Sequence, residues 1–253
     1  MVQAFAIPRP PKLVLCELEL RDGALETHSP FCLKIRRALS LLGLKFESRA
    51  AAAPSAFKHL NPSGKVPVLL IDGEAIADST RILLHLNRLY PGVLYRHRES
   101  GLWEELADTS LNAHLVAARW ADPDQWRNTC KAFFGSMPWP IRVVVPARTR
   151  RSALRSLDAR DIEYQDTERY EDAFLTLLDD LEARAPHQGF WLGDDPDAAD
   201  LAIFSQLQSM RCELTPKQHR WIDQRRKLVA YLGRVERATA GPSRDRLRRD
   251  FVF

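Results

Sequence analysis

Strand signals in this chain stop near Tyr95, and beyond that point apolar residues recur at helical spacing. The first part alternates. Leu13-Val14-Leu15-Cys16 reads as a buried strand, Ser29 to about Leu42 as a helix stopped at Gly43, and Lys45 to Ser48 as a second strand. After a loop holding Pro54, His59, Asn61, Pro62 and Gly64 comes the apolar run Val66 to Ile71. Asp72-Gly73 is a hairpin signal joining that run to Glu74–Ala77, and Asp78-Ser79 opens a helix that Pro91-Gly92 ends. The order β-α-β, hairpin, α describes a small α/β unit with a mixed four-stranded sheet.

The remainder reads as all-helical. Leu102–Trp120, Tyr164–Ala183, Asp197–Met210 and Pro216–Ala238 each carry an apolar stripe. The stretch Asp122–Asp158, with Pro138, Pro140 and Pro146, predicts a helix or two and a long loop. The domains expected are 1–92 and 93–253.

Residues 29–39, Ser-Pro-Phe-Cys-Leu-Lys-Ile-Arg-Arg-Ala-Leu, combine a capping hydroxyl, a first-turn proline and a cysteine one turn in. A helix start gathers unpaired N–H groups and partial positive charge, so it favours an anion, including a thiolate. Pro67, before an apolar strand, cannot donate to a ladder and must sit at a strand's beginning, an edge or a bulge; a cis Val66–Pro67 bond is expected, which turns the Val66 backbone toward a ligand.

Composition narrows the class. The four cysteines, Cys16, Cys32, Cys130 and Cys212, form no CxxC pair or zinc spacing, so reduced thiols and no metal are expected. The net charge of +4 is diffuse. Its densest cluster, Arg244, Arg246, Arg248 and Arg249, lacks interleaved aromatics and reads as a solvated tail rather than a nucleic-acid site. No apolar run reaches the ~20 residues of a membrane span, and Met1–Pro11 has no signal-peptide core; the expectation is a cytoplasmic protein.

Ser-Pro-Phe-Cys at the first helix, Lys65-Val66-Pro67 before the third strand, Asp78-Ser79 opening the next helix, and Gly193-Asp194-Asp195-Pro196-Asp197-Ala198-Ala199-Asp200-Leu201 together resemble the cytosolic glutathione transferase superfamily. The resemblance covers about 13–90 and 163–238. It implies a thioredoxin-like N-terminal domain, then an all-α helical bundle domain, with glutathione as co-substrate, a hydrophobic electrophile as second substrate, and a homodimer. It places Ser29 on the glutathione thiolate, Lys65 near the tripeptide's carboxylates, Val66 beside Pro67 on the cysteinyl backbone, and Asp78 with Ser79 on the γ-glutamyl group. Asp78 stands where glutamate is commoner and shortens the reach by one carbon. The segment from Glu17 to His28 is longer than the family's usual link. Two alternatives stand beside the transferase: a non-catalytic interaction module with the same fold, and a thiol oxidoreductase dependent on Cys32. Asp197 and Asp200 are assigned to helix capping. His114 is assigned to packing. Trp103, Trp120, Trp126, Phe133, Phe134 and Trp139 are candidates for an electrophile pocket.

Overall fold

A computed structural model describes residues 11–19, 27–160 and 164–240. The basic cluster Arg244–Arg249 and the middle of the 17–28 segment lie outside them.

Strands β1 (Leu13–Leu18), β2 (Glu47–Ala51), β3 (Val68–Ile71) and β4 (Glu74–Ala77) form a mixed sheet in the order β2-β1-β3-β4. β1 and β2 are parallel, with Val14 opposite Glu47 and Leu18 opposite Ala51. The other pairs are antiparallel, with Cys16 opposite Val68 and Val68 opposite Ala77. The hairpin turn places Asp72 at φ 50° and Gly73 at φ 94°, the two positive angles that a tight two-residue connection requires. The Val66–Pro67 bond is cis, and β3 begins one residue later.

β2 lies two residues beyond its predicted start. Leu44 and Phe46 pack on the core ahead of it. β2 itself is an exposed edge, Glu-Ser-Arg-Ala-Ala, held by its ladder to β1 and by Ser48, whose hydroxyl donates to Glu17 at 2.5 Å. Glu17 is fully buried and also accepts both donors of Arg36 at 2.6 Å, tying β1, β2 and the first helix together.

Helices α1 (Pro30–Leu41) and α2 (Ser79–Leu89) cover one sheet face, where Leu15 and Leu69 meet Ile35, Leu39, Ile82 and Leu86. These side chains are fully buried, and each contributes about 1.5–3 kcal/mol of transfer free energy. The opposite face, with Val14, Cys16, Val68 and Leu70, is closed by Phe57 from a single 3-10 turn, Pro54–Phe57.

The helical part comprises α3 (Ser100–Leu106), α4 (Asn112–Trp120), α5 (Pro123–Phe134), α6 (Trp139–Asp158), α7 (Thr167–Arg184), α8 (Ala198–Met210), α9 (Pro216–Asp223) and α10 (Arg226–Thr239). The sequence pattern departs from this in three places. The expected Leu102–Trp120 helix widens into a π turn at Ala107–Leu111. Pro216–Ala238 breaks at Gln224-Arg225, where the Arg225 guanidinium donates to the Trp221 carbonyl and to Asp179. The expected long loop within Asp122–Asp158 is only the Gly135–Pro138 link, because α6 runs on through Pro146 for 20 residues.

α8 is buried on nearly every side, the mark of a central helix. Its capping box is complete: Asp197 accepts from Ala199 N–H at 2.9 Å, and Asp200 accepts from Asp197 N–H at 3.0 Å. Ala198 and Leu201 join the sheet-side core, whereas Leu33 of α1 joins the helical core. The two parts thus share a packed boundary along α1 and α8.

Candidate functional site

The sheet register brings the sequence-predicted residues to one end. β1 runs toward Leu18 and feeds α1, β3 starts at Val68 beside Cys16, and β4 finishes at Ala77 beside Val68 and feeds α2. The N-terminus of α1, the Val66–Pro67 corner and the N-terminus of α2 therefore share the same edge. Two helix starts, each with its partial positive charge, lie along this one edge.

Ser29 caps α1. Its Oγ accepts from Cys32 N–H at 3.3 Å, and its own N–H donates to Thr27 Oγ1 at 3.2 Å. The residue is only 9% exposed. Cys32 lies buried one turn into α1. Burial pushes its thiol up to about 12, against the lowering influence of Ser29 and Leu18, so at neutral pH it is protonated. His28 is buried with its ring 5.4 Å from that of Phe133.

Sequence reasoning missed Arg119 of α4. This fully buried guanidinium donates to the His28 carbonyl at 2.7 Å and to the Ser209 carbonyl at 2.6 Å, pinning the approach to Ser29 onto the end of α8. Burial lowers its pKa, with Cys212 beside it opposing the shift. Its one sequence signal is an arginine on the apolar face of Asn-Ala-His-Leu-Val-Ala-Ala-Arg-Trp.

At the second corner, Asn61 organises the loop: its amide donates to the Lys65 carbonyl at 2.8 Å, and its oxygen accepts from Ser63. Lys65 is exposed, Val66 half-buried and Pro67 buried. Among the described residues, Val66 N–H and C=O have no protein hydrogen bond, which leaves them open to an extended peptide. At the third corner Asp78 sits at φ 80°, a rare conformation for a residue with a side chain, and caps α2 through Arg81 N–H at 3.1 Å. Asp78 is exposed and Ser79 is buried behind it.

Beneath this edge runs a buried ionic cluster that the sequence did not announce. Lys34 Nζ lies 2.8 Å from Glu104 Oε1 and 2.5 Å from Asp108 Oδ2. Glu104 also accepts from Thr80 Oγ1 at 2.8 Å and Tyr95 Oη at 2.5 Å. Thr80 follows Ser79, so the cluster joins α1, the start of α2 and the α3 region directly under the candidate site.

The predicted aromatics separate into three places. Trp103 packs edge-on against Trp191 at 5.2 Å with Arg184 over its ring, Trp139 is exposed, and Trp120, Trp126, Phe133 and Phe134 form one cluster between α4 and α5. His114 packs on Tyr170 and Phe174, and burial lowers its pKa to about 4, which keeps it neutral. Among the described residues no group of three or more His, Cys, Asp or Glu is arranged to hold a metal, and no helix is long and apolar enough to cross a membrane.

The comparisons fit this geometry. The family described as Glutathione S-transferase, N-terminal domain matches residues 28–89, and Glutathione S-transferase, C-terminal domain matches 164–234. Among curated proteins, Failed axon connections of Drosophila melanogaster is 24% identical over 214 residues, 75% of this chain and 48% of that protein. Metaxin-1 of Homo sapiens is 28% identical over 163 residues, 58% of this chain and 34% of its own length. Glutathione transferase GST 23 of Zea mays is 29% identical over 98 residues, 34% of this chain and 44% of that protein. The chain thus spans about half the length, or less, of these relatives. Among solved structures, the beta-etherase LigF of Sphingobium sp. strain SYK-6 superposes with TM-score 0.60 at 18% identity, covering 89% of this chain and 95% of that one. A glutathione S-transferase from Methylobacterium radiotolerans, in complex with glutathione sulfonate, gives 0.57 at 18% identity, with 90% and 93% covered. At such identities the structures speak to the fold alone, and together with the two domain matches they establish that the chain belongs to the glutathione S-transferase superfamily.

Proposed function

We propose that the chain binds reduced glutathione at the shared sheet end and conjugates it to a hydrophobic electrophile. The observation that carries this reading is the convergence of both helix starts and the open Val66 backbone on one edge, with the Asp78 carboxylate exposed there. Asp78 takes the ammonium of the γ-glutamyl group. The Ser79 hydroxyl and the first N–H groups of α2 take its carboxylate. Val66 pairs with the cysteinyl backbone, and Lys65 approaches the terminal carboxylate. Ser29, with the α1 N-terminus behind it, stabilises the thiolate. Lowering a thiol pKa from ~8.5 by about two units needs about 2.7 kcal/mol, within reach of one charge-assisted hydrogen bond plus a helix end. A homodimer in the cytoplasm is part of the same proposal.

Calorimetry of reduced glutathione against the wild type and Asp78→Asn tests the binding step, since asparagine keeps an oxygen for the cap and removes the charge. Binding at millimolar or better that falls at least tenfold in the variant supports the site; equal affinity in both, or none in either, sinks it. Turnover with 1-chloro-2,4-dinitrobenzene tests the chemistry. Ser29→Ala should reduce turnover by an order of magnitude or more while leaving glutathione affinity within about twofold.

One observation favours a second reading, a glutathione-transferase-fold interaction module without catalysis. The Ser29 oxygen is used as the cap of α1, accepting from Cys32 N–H, and the residue is nearly covered, which limits a thiolate's access to it. Glutathione binding without turnover in the wild type decides for the module.

A further inference from the structure

A cavity of about 670 Å³ lies between α5 and α6, lined almost wholly by residues between the two family matches, within the size range of small-molecule sites. We propose that this cavity binds an amphipathic carboxylate, an apolar chain or ring system ending in a single anionic head. It is separate from the sheet-end site and does not depend on the transferase reading.

The lining divides chemically. Trp126, Val143, Pro146, Ala147 and Leu154 supply an apolar wall. Three arginines of α6, Arg150, Arg151 and Arg155, line the same space. Arg150 is already committed: it donates to the Trp120 carbonyl at 2.7 Å and the Ala121 carbonyl at 3.1 Å, and lies 5.1 Å over the Trp126 ring. Those bonds tie α6 to the C-terminal end of α4 and set the guanidinium over Trp126. Arg151 and Arg155 are exposed, and among the described residues neither has an ion-pair partner. The lining also holds one carboxylate, the exposed Asp158, against three guanidinium groups, so its balance is positive. Two uncommitted guanidinium groups beside an apolar wall match a ligand with an anionic head and an apolar body. The apolar character continues outward, because Val143 lines the cavity and is 63% exposed beside Val144 and Trp139.

Cys130 provides the assay. It lines the cavity and is half-buried, whereas Cys16, Cys32 and Cys212 are buried, so it is the thiol that a maleimide reaches first in the folded protein. Laurate and dodecanol, alike in chain and different in charge, are added below their aggregation limits while the labelling rate is followed. Direct calorimetry of each serves as the second measurement. Laurate should slow labelling in a saturable way and bind at least tenfold tighter than dodecanol. Arg151→Gln/Arg155→Gln should remove most of that tenfold preference and leave dodecanol and glutathione affinities unchanged. Equal binding of the two compounds, an unaltered preference in the double variant, or no binding of laurate by either method overturns the proposal. So does labelling that slows with protein concentration alone, which would assign the groove to a second copy of the chain.

Discussion

Replacing Lys34 with methionine tests the buried cluster most directly. The lysine is about 1% exposed, and its ammonium is shared by two carboxylates at 2.8 and 2.5 Å. Methionine fills much of the same volume, so the loss is mainly electrostatic. Removing one member of a buried ion pair costs about 3–5 kcal/mol, because the partner's charge stays buried. Here two carboxylates remain, and the repulsion between them places the loss in the upper half of that range. The structure also fixes the pH dependence. Burial already raises the Asp108 pKa, with the Lys34 charge opposing it and Glu104 adding to it. Without Lys34 the folded-state pKa climbs further above the unfolded value. A carboxyl of that kind takes up a proton on folding, so the penalty is complete above the raised pKa and is relieved as pH falls through it. Guanidinium unfolding at about pH 8 and about pH 5 should therefore show a large gap between wild type and Lys34→Met that narrows at the lower pH. Adding Glu104→Gln should restore about half of the loss, since it removes one of the two stranded charges. A loss below about 1 kcal/mol, or a gap that does not respond to pH, would refute the account and mean that water reaches the cluster.

The other predictions concern the second domain's grip on the site. Arg119→Met leaves the carbonyls of His28 and Ser209 without their buried donor and should cost about 3 kcal/mol or more in urea unfolding, with weaker glutathione binding because the approach to Ser29 is released. Stability loss with unchanged affinity would separate Arg119 from the site. Asp200, buried in the α8 capping box, has its pKa raised by burial to about 6 in spite of bonds from Trp191 N–H, Asp197 N–H and the Tyr231 hydroxyl. Its folded pKa exceeds the unfolded one, so its contribution is greatest below about pH 4 and is lost as pH rises through about 6. A shift of two units corresponds to about 3 kcal/mol. The wild type should show that slope in its unfolding free energy, and Asp200→Asn should lack it.

What could be read in the sequence is what local chemistry dictates. Asp72-Gly73 accepts the two positive φ angles of its turn, Ser29-Pro30 starts α1, and Asp197 with Asp200 caps α8, each within four residues of its effect. β2 is legible as a strand but starts two residues beyond its predicted start, because an exposed edge strand needs no apolar alternation and only its partner β1 defines its ends. Lys34 and Glu104 are 70 residues apart, and a lysine inside Phe-Cys-Leu-Lys-Ile gives no sign that its partners lie in another domain. α6 continues through Pro146 although the residue removes a donor from the helix, and its wall against α5 depends on Arg150 reaching Trp120 and Ala121. None of these choices is recorded in neighbouring residues.

The same reasoning explains why the proposed sheet-end site rests on the helical part as well as the sheet, although every residue predicted for it lies before Leu89. α1 has two faces. Ile35, Ala38 and Leu39 point into the sheet core, while Leu33 packs in the helical core, Lys34 reaches Glu104 and Asp108, and Arg37 lies over Phe204 at 5.1 Å and donates to the Glu236 carbonyl. The helix that presents Ser29 is therefore fixed by the sheet on one side and by α3, α8 and α10 on the other. Arg119 fixes the chain entering it. The position of a capping hydroxyl over the sheet edge is set by contacts up to 199 residues away in the chain. Changes at Arg119, Lys34 or α8 should therefore reach the proposed site through α1, with no need to touch a ligand.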